Sequence, residues 1–244
     1  MSAQEKIALV TGATRGLGFE TVRQLARAGV FVLLGARDLA AGKKKAEALR
    51  AEGLAVDAIE IDLNRPETID AAASTIDARF GKLDILVNNA GILLLDTDAF
   101  PSVTPVETLR ESYDVNFIGT VIVTQKPLPL IRKANSGRIV NLSSSLGSLW
   151  WTGDVNNPNP DAKWLGYAAS KAAVNMLTVQ LAYELKDTPI KVNSVCPGYV
   201  MTDLNRGGGY VTIEDGVKAS VKYALLDDAG PTGQFFNIDG PINW

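Results

Sequence analysis

Short apolar runs alternate with longer stretches of 3.6-residue periodicity along nearly the whole chain, and that alternation leaves few folds open. A strand buried on both faces reads as an unbroken apolar run, and a helix after each strand returns the chain to start the next in the same direction. The pattern therefore specifies a parallel sheet with helices on both faces. Candidate strands are Ile7–Val10, Val30–Gly35, Val56–Ile61, Ile85–Asn88, Arg138–Leu142, Ile190–Val195 and Phe235–Ile238. Helical periodicity falls at Leu17–Ala28, Leu39–Ala51, Glu67–Phe80, a long segment around Thr104–Ile131, Tyr167–Leu185 and Ile213–Leu225. No linker, repeat or low-complexity block interrupts the order, so one doubly wound α/β domain over residues 1–244 with about seven strands is expected. Pro127, just ahead of Pro129, should kink or end the fourth helical stretch. Lys43–Lys45 on the second helix reads as a solvated face.

Histidine is absent and Cys196 is the sole cysteine. That excludes Ser-His-Asp and Cys-His catalysis, histidine-ligated metals and an internal disulfide, so no metal is expected and proton chemistry must run through Tyr, Lys, Asp or Glu. Lys plus Arg number 24 against 27 Asp plus Glu, a net charge of -3, which offers no field for a nucleic acid partner. The polar start Met-Ser-Ala-Gln-Glu-Lys lacks the basic and apolar regions of a signal peptide, and a cytoplasmic location is expected. No apolar stretch approaches the ~20 residues that cross a bilayer, so no membrane partner is expected.

Two local patterns carry chemistry. Directly after the first strand stands Thr11-Gly12-Ala13-Thr14-Arg15-Gly16-Leu17-Gly18, and a helix begins there. Glycines at such a junction allow a tight turn and close backbone approach, while the helix N-terminus presents unpaired N–H groups to a pyrophosphate. A plain glycine loop would read the same, but the strand–helix placement favours a nucleotide. The spacing is GxxxGxG, distinct from the GxGxxG fingerprint. Further on, Tyr167 and Lys171 lie i, i+4 on one helix face. On an exposed helix such a pair is ordinary. Beside the glycine turn it reads as an acid–base pair, because an adjacent ammonium makes a phenol usable in proton transfer.

Taken in order, the turn Thr11–Gly18, Asn88-Asn89-Ala90-Gly91, Asn116, the serines 143–145, Tyr167-Ala-Ala-Ser-Lys171 and Pro197-Gly198 resemble the motif series of the short-chain dehydrogenases/reductases over essentially the whole chain. The ending is similar to that family's NADPH-dependent carbonyl reductases: Asn193-Ser-Val-Cys-Pro-Gly-Tyr-Val-Met-Thr-Asp203, Thr-Ile-Glu-Asp-Gly at 212–216, Tyr223-Ala-Leu-Leu and Gly233-Gln-Phe-Phe ahead of Trp244. The resemblance implies a Rossmann-type fold and a catalytic set of Asn116, Ser144, Tyr167 and Lys171. Ser144 is chosen because the family's serine stands three residues before Gly147; Ser143 and Ser145 would only bond the loop. Tyr167 would protonate the substrate oxygen, Ser144 would steady it, Asn116 would hold a water near Lys171, and Lys171 would also bond the nicotinamide ribose.

For the cofactor, the second strand ends Gly35-Ala36-Arg37-Asp38. The resemblance sets Arg37 and Arg15 against a ribose 2′-phosphate, with Ala36 where NAD-using relatives carry an acid. Asp38 lies about 20 residues beyond Gly18, a spacing that also allows NAD, but it can instead cap the helix starting at Leu39. NADPH/NADP+ is the expected cofactor. Gly12, Thr14, Gly16, Leu17 and Gly18 would cradle it. Asp62 and Leu63 would hold adenine, with a helix cap as the other reading of Asp62. Asn89, Ala90 and Gly91 would build the turn first and touch the cofactor second. Pro197, Gly198, Val200 and Thr202 would line the nicotinamide.

The interval from Ser144 to Tyr167 is longer than in the simplest family members and carries Trp150-Trp151, the turn-rich stretch 152–160 and Trp164. This 144–167 loop and the 202–216 segment are expected to form the substrate cleft, with Trp150, Trp151 and Tyr199 against the substrate; packing under a long loop or at a subunit contact is the other reading of the tryptophans. The implied activity is reduction of a ketone or aldehyde on a fairly apolar small molecule. An alcohol dehydrogenase running in the oxidising direction, a 3-oxoacyl-carrier reductase and a non-catalytic NAD(P)-binding protein stay open as alternatives. A homo-oligomer, dimer or tetramer, and a monomer are both compatible with an insertion at this place.

Overall fold

The computed structural model describes residues 5–154, 156 and 162–244. Among them one sheet takes the order β3-β2-β1-β4-β5-β6-β7, all neighbours parallel. Its strands are β1 (Ile7–Val10), β2 (Phe31–Ala36), β3 (Val56–Glu60), β4 (Ile85–Asn88), β5 (Arg138–Leu142), β6 (Lys191–Val195) and β7 (Phe235–Phe236). Side chains alternate between the faces, so Ala8 and Val10 enter one core and Ile7 and Leu9 the other. Helices α1 (Gly16–Arg27) and α2 (Leu39–Ala51) close the first face, and α3 (Pro66–Phe80) closes the second. The strand order reverses at β1, between β2 and β4, and in open parallel sheets the crevice at that reversal is where ligands bind.

The fourth helical stretch is not one helix. It runs as α4 (Val106–Tyr113), a wide π turn over Asp114–Gly119, α5 (Thr120–Gln125) and, after a break at Lys126–Pro127, α6 (Leu128–Ile131). Pro127 ends α5 because it lacks the N–H that would continue the ladder. The interval after Ser144 also departs from a loop: a 3-10 turn covers Ser145–Gly147 and α7 covers Leu149–Gly153. Ser148 Oγ starts α7 by accepting from Trp151 N–H at 3.0 Å. Residues 155 and 157–160 of the turn-rich stretch lie outside the described residues. Next come α8 (Leu165–Glu184), which carries Tyr167 and Lys171, then α9 (Ile213–Gly216) and α10 (Lys218–Ala224) in place of one expected helix. Among the described residues no helix is long and apolar enough to cross a membrane.

Candidate active site

The glycine turn joins β1 to α1. Gly12 and Gly16 have φ of 61° and 52°, where a side chain is strained. A Cβ on Gly12 would stand 2.8 Å from Ala90 Cα, and one on Gly18 would stand 2.5 Å from Asn89 Nδ2. The segment after β4 is therefore pressed onto the turn. Asn89 Nδ2 donates to Thr11 O at 2.8 Å, and the N–H groups of Asn89 and Ala90 donate to Thr11 Oγ1 at 3.1 and 3.0 Å. Arg15, the residue before α1, makes no side-chain cap, so the first-turn N–H groups of α1 face the crevice uncapped.

A groove of about 380 Å³ runs along the crevice. It brings together Gly12, Thr14, Arg15, Gly16, Leu17 and Gly18 from the turn, Arg37 and Asp38 after β2, Asp62 and Leu63 after β3, Asn89, Ala90 and Gly91 after β4, and Thr202. Asp38 is committed to α2: its Oδ1 accepts from the N–H groups of Ala40 and Ala41 at 2.9 and 3.1 Å. Asp62 does not cap α3, whose N-cap is Arg65; its Oδ1 closes a turn by accepting from Asn64 N–H at 3.0 Å. Leu63 packs against Gly119 of the π turn, where a Cβ would stand 2.8 Å away. Pro197, Gly198 and Val200 do not line the groove; Val200 is buried and bridges to Val211.

At the groove's end, beyond Gly91 and Leu142, four expected residues converge. Lys171 Nζ donates to Leu142 O at 2.7 Å and stands 5.6 Å from the centre of the Tyr167 ring. The Ser144 hydroxyl, which accepts from Leu146 N–H at 3.2 Å, lies close enough to Tyr167 to act on its phenol. Asn116, on the π turn, accepts from Ile92 N–H through Oδ1 at 2.7 Å and donates through Nδ2 to Ile92 O and Ser170 Oγ, both at 3.0 Å. A Cβ on Gly91 would lie 3.1 Å from Asn116 Oδ1 and 3.5 Å from Lys171 Nζ, so the missing side chain leaves the space between them open. Burial pushes the Tyr167 phenol up, with the Ser144 hydroxyl pulling the other way. Burial also pushes the Lys171 ammonium down to about 8. Ser143 Oγ donates to Lys171 O, and of the three serines it is the Ser144 hydroxyl that acts on the Tyr167 phenol.

The 202–216 segment is pinned near its start by two ion pairs. Asp203 pairs with Arg15 at 3.3 Å, and Arg206, with φ of 57°, pairs with Asp96 at 2.5 Å. Tyr199 meets Tyr210 edge to face at 6.0 Å. Trp150 is 57% exposed, and its N–H donates to Trp244 O at 3.1 Å while Ser148 Oγ donates to Asn243 O at 2.6 Å. Two groups at the site escaped sequence reasoning. Ser170 neighbours Lys171 in the motif and could have been inspected for that reason. Asp98, whose carboxylate accepts from the N–H groups of Gly166 and Tyr167, left no signal, because its partners are remote in sequence.

A family model for short chain dehydrogenases matches residues 6–208. The chain is 34% identical to salutaridine reductase of Papaver bracteatum over 294 aligned residues, covering 95% of this chain and 94% of that one. It is 34% identical to (+)-neomenthol dehydrogenase of Arabidopsis thaliana over 285, covering 95% and 96%. An NADPH-bound carbonyl reductase from chicken fatty liver superposes with a TM-score of 0.83 at 28% identity, covering 99% of this chain and 100% of that one. A crevice at the sheet's reversal, an uncapped glycine turn and a matched sequence over most of its length agree: this chain belongs to the short-chain dehydrogenase family of oxidoreductases.

Proposed function

We propose that this chain reduces the carbonyl of a ketone or aldehyde on a fairly apolar small molecule to the alcohol, with NADPH as reductant. The observation that carries this reading is the meeting of Ser144, Tyr167, Lys171 and Asn116 at the end of a groove floored by an uncapped glycine turn. The groove fits a dinucleotide: Gly12 and Gly18 let the segment after β4 close onto the turn, nothing stands within 4 Å of where a Cβ on Gly16 would lie, and α1 offers its N–H groups to a pyrophosphate. Arg37 and Arg15 both line the groove and are the cations assigned to a 2′-phosphate, Arg15 exchanging its exposed pairing with Asp203 for it, while Asp38 is already engaged as a helix cap. The resemblance to an NADPH-bound carbonyl reductase supports the same choice.

When bound, NADPH supplies the hydride that reaches the carbonyl carbon. Ser144 donates a hydrogen bond to the carbonyl oxygen as charge grows there, and Tyr167 gives it the proton. The phenol is protonated at neutral pH at its ordinary value of ~10 and desolvation moves it further up, which suits an acid. Lys171 steadies the tyrosinate left behind and, with its ammonium brought to about 8, can pass a proton on from solvent near neutrality. Asn116 holds the loop at Ile92 beside that path. Helix α7 and the 202–216 segment wall the substrate side, with Trp150, Trp151 and Tyr199 supplying apolar surface and Thr202 facing the cofactor.

The test is NADPH oxidation over a panel of cyclic ketones, aldehydes and quinones, with NADH in parallel. Turnover on at least one class, faster with NADPH, is expected. Tight NADPH binding with no turnover on any class would replace the reading with a binding protein.

A further inference from the structure

Tyr167 stands in the first turn of α8, where a helix gives its own N–H groups no partner and where fraying begins. A side chain placed there is only as fixed as whatever holds those groups. Trp164, the N-cap, contributes no side-chain cap, and the first bond into the helix is Ala168 N–H to Trp164 O at 2.9 Å. The three N–H groups ahead of Ala168 are taken by one loop distant in sequence. Leu165 donates to Ala99 O at 3.1 Å, Gly166 to Asp98 Oδ1 at 2.9 Å and Tyr167 to Asp98 Oδ2 at 2.8 Å. Asp98 is 4% exposed. Its loop is braced in turn, with Asp98 N–H on Leu94 O at 2.8 Å and Ala99 N–H on Thr104 Oγ1 at 3.0 Å. Gly166 admits the close approach: a Cβ there would stand 3.2 Å from Asp98 Oδ2 and 3.0 Å from Ser112 Oγ.

We propose that Asp98 is a positioning residue for the proton donor: its buried carboxylate, bridging two backbone N–H groups, sets the first turn of α8 and so holds Tyr167 against Ser144. The inference rests on the reading of Tyr167 as proton donor. A carboxylate suits the place because both oxygens accept and the anion sits at the positive end of a 20-residue helix. Asparagine offers one accepting oxygen, and its amide N–H groups would face the second donor. Asp98 bonds the N–H groups of Gly166 and Tyr167, away from the glycine turn and Arg37 to which the cofactor's phosphates are assigned, so its effect should fall on the chemistry and leave cofactor binding nearly unchanged.

The experiment compares Asp98→Ala and Asp98→Asn, each alone and combined with Tyr167→Phe. It reads kcat for carbonyl reduction, NADPH affinity by fluorescence, and amide hydrogen exchange across residues 165–184. Asp98→Ala should lower kcat by about 10- to 100-fold, the scale of a small misplacement at a reacting group, with Asp98→Asn between it and the native protein. NADPH affinity should stay within about twofold, and exchange should quicken at Gly166 and Tyr167 but not further along α8. In the Tyr167→Phe background the same changes should cost no more than about twofold, because no hydroxyl is left to misplace. Native kcat in either folded Asp98 variant, or an equal fold-loss in both backgrounds, would overturn the positioning role. Should Asp98→Ala fail to fold, Asp98→Asn is judged by the same outcomes. Native turnover by Tyr167→Phe alone would instead overturn the proton-donor reading, so the two failures are told apart.

Discussion

Lys171 is buried with its Nζ on a neutral carbonyl, Leu142 O, and pays for its desolvation by releasing its proton near 8. Below that value the ammonium is present and above it the amine is neutral, so whatever needs the cation weakens as pH rises. The ratio kcat/KM for NADPH reports the cofactor-free enzyme, and it should fall as pH climbs through about 8. A profile flat to about pH 10 would show that the charge on Lys171 is not required. Arg37 makes a separable contribution. Losing a charge-assisted hydrogen bond of roughly 1.5–3 kcal/mol, Arg37→Ala should bind NADPH about 10- to 150-fold more weakly and NADH almost unchanged, as fluorescence titration would read. Equal losses for both would make Arg37 a support of the fold. Such residues are legible in a sequence when their meaning is local: Arg37 follows a strand end, and Tyr167 and Lys171 share a helix face. Asp98 is not, since it acts on N–H groups it meets only after folding.

Elements were legible to the extent that periodicity specifies them. Strands β1, β4 and β5 lie where their apolar runs end, and Pro127 breaks the helix it interrupts. The π turn at Asp114–Gly119 could not be read, because one widened turn leaves the apolar spacing of its neighbours nearly unchanged, yet it is what carries Asn116 to Ile92. The interval after Ser144 hid α7 for a related reason: five residues are too few for a period, and that helix is held by Ser148 and residues 243–244. Asp38 tests an element directly. As the cap of α2, its replacement by Ala should cost ~1 kcal/mol and lower Tm by ~2–4 °C, with the preference between NADPH and NADH unaltered. A swing in that preference at unchanged Tm would mean that Asp38 reads the ribose.

The whole molecule follows from the order of its strands. Because the sheet reverses at β1, the turns after β1, β2, β3 and β4 open onto one crevice; the alternation of strands and helices gave the parallel sheet, and the glycine turn after the first strand pointed to the end where a nucleotide would bind. It was not enough to foresee how the 202–216 segment is fastened across the crevice, since Asp203–Arg15 and Arg206–Asp96 join residues far apart in the chain. Both pairs are exposed, so each is worth little in stability. Asp96→Arg and Arg206→Asp should each raise KM for the carbonyl substrate by no more than about fivefold, and the double exchange should restore it. Additive losses in the double variant would show that the pair does not hold the segment. Fold, groove and the Tyr167–Lys171 pair make one reducing site only if Tyr167 gives up the proton, and single-turnover NADPH oxidation by Tyr167→Phe measures that step. The rate should drop ~10²–10⁴-fold while NADPH affinity and Tm stay native. A near-native single-turnover rate would contradict it.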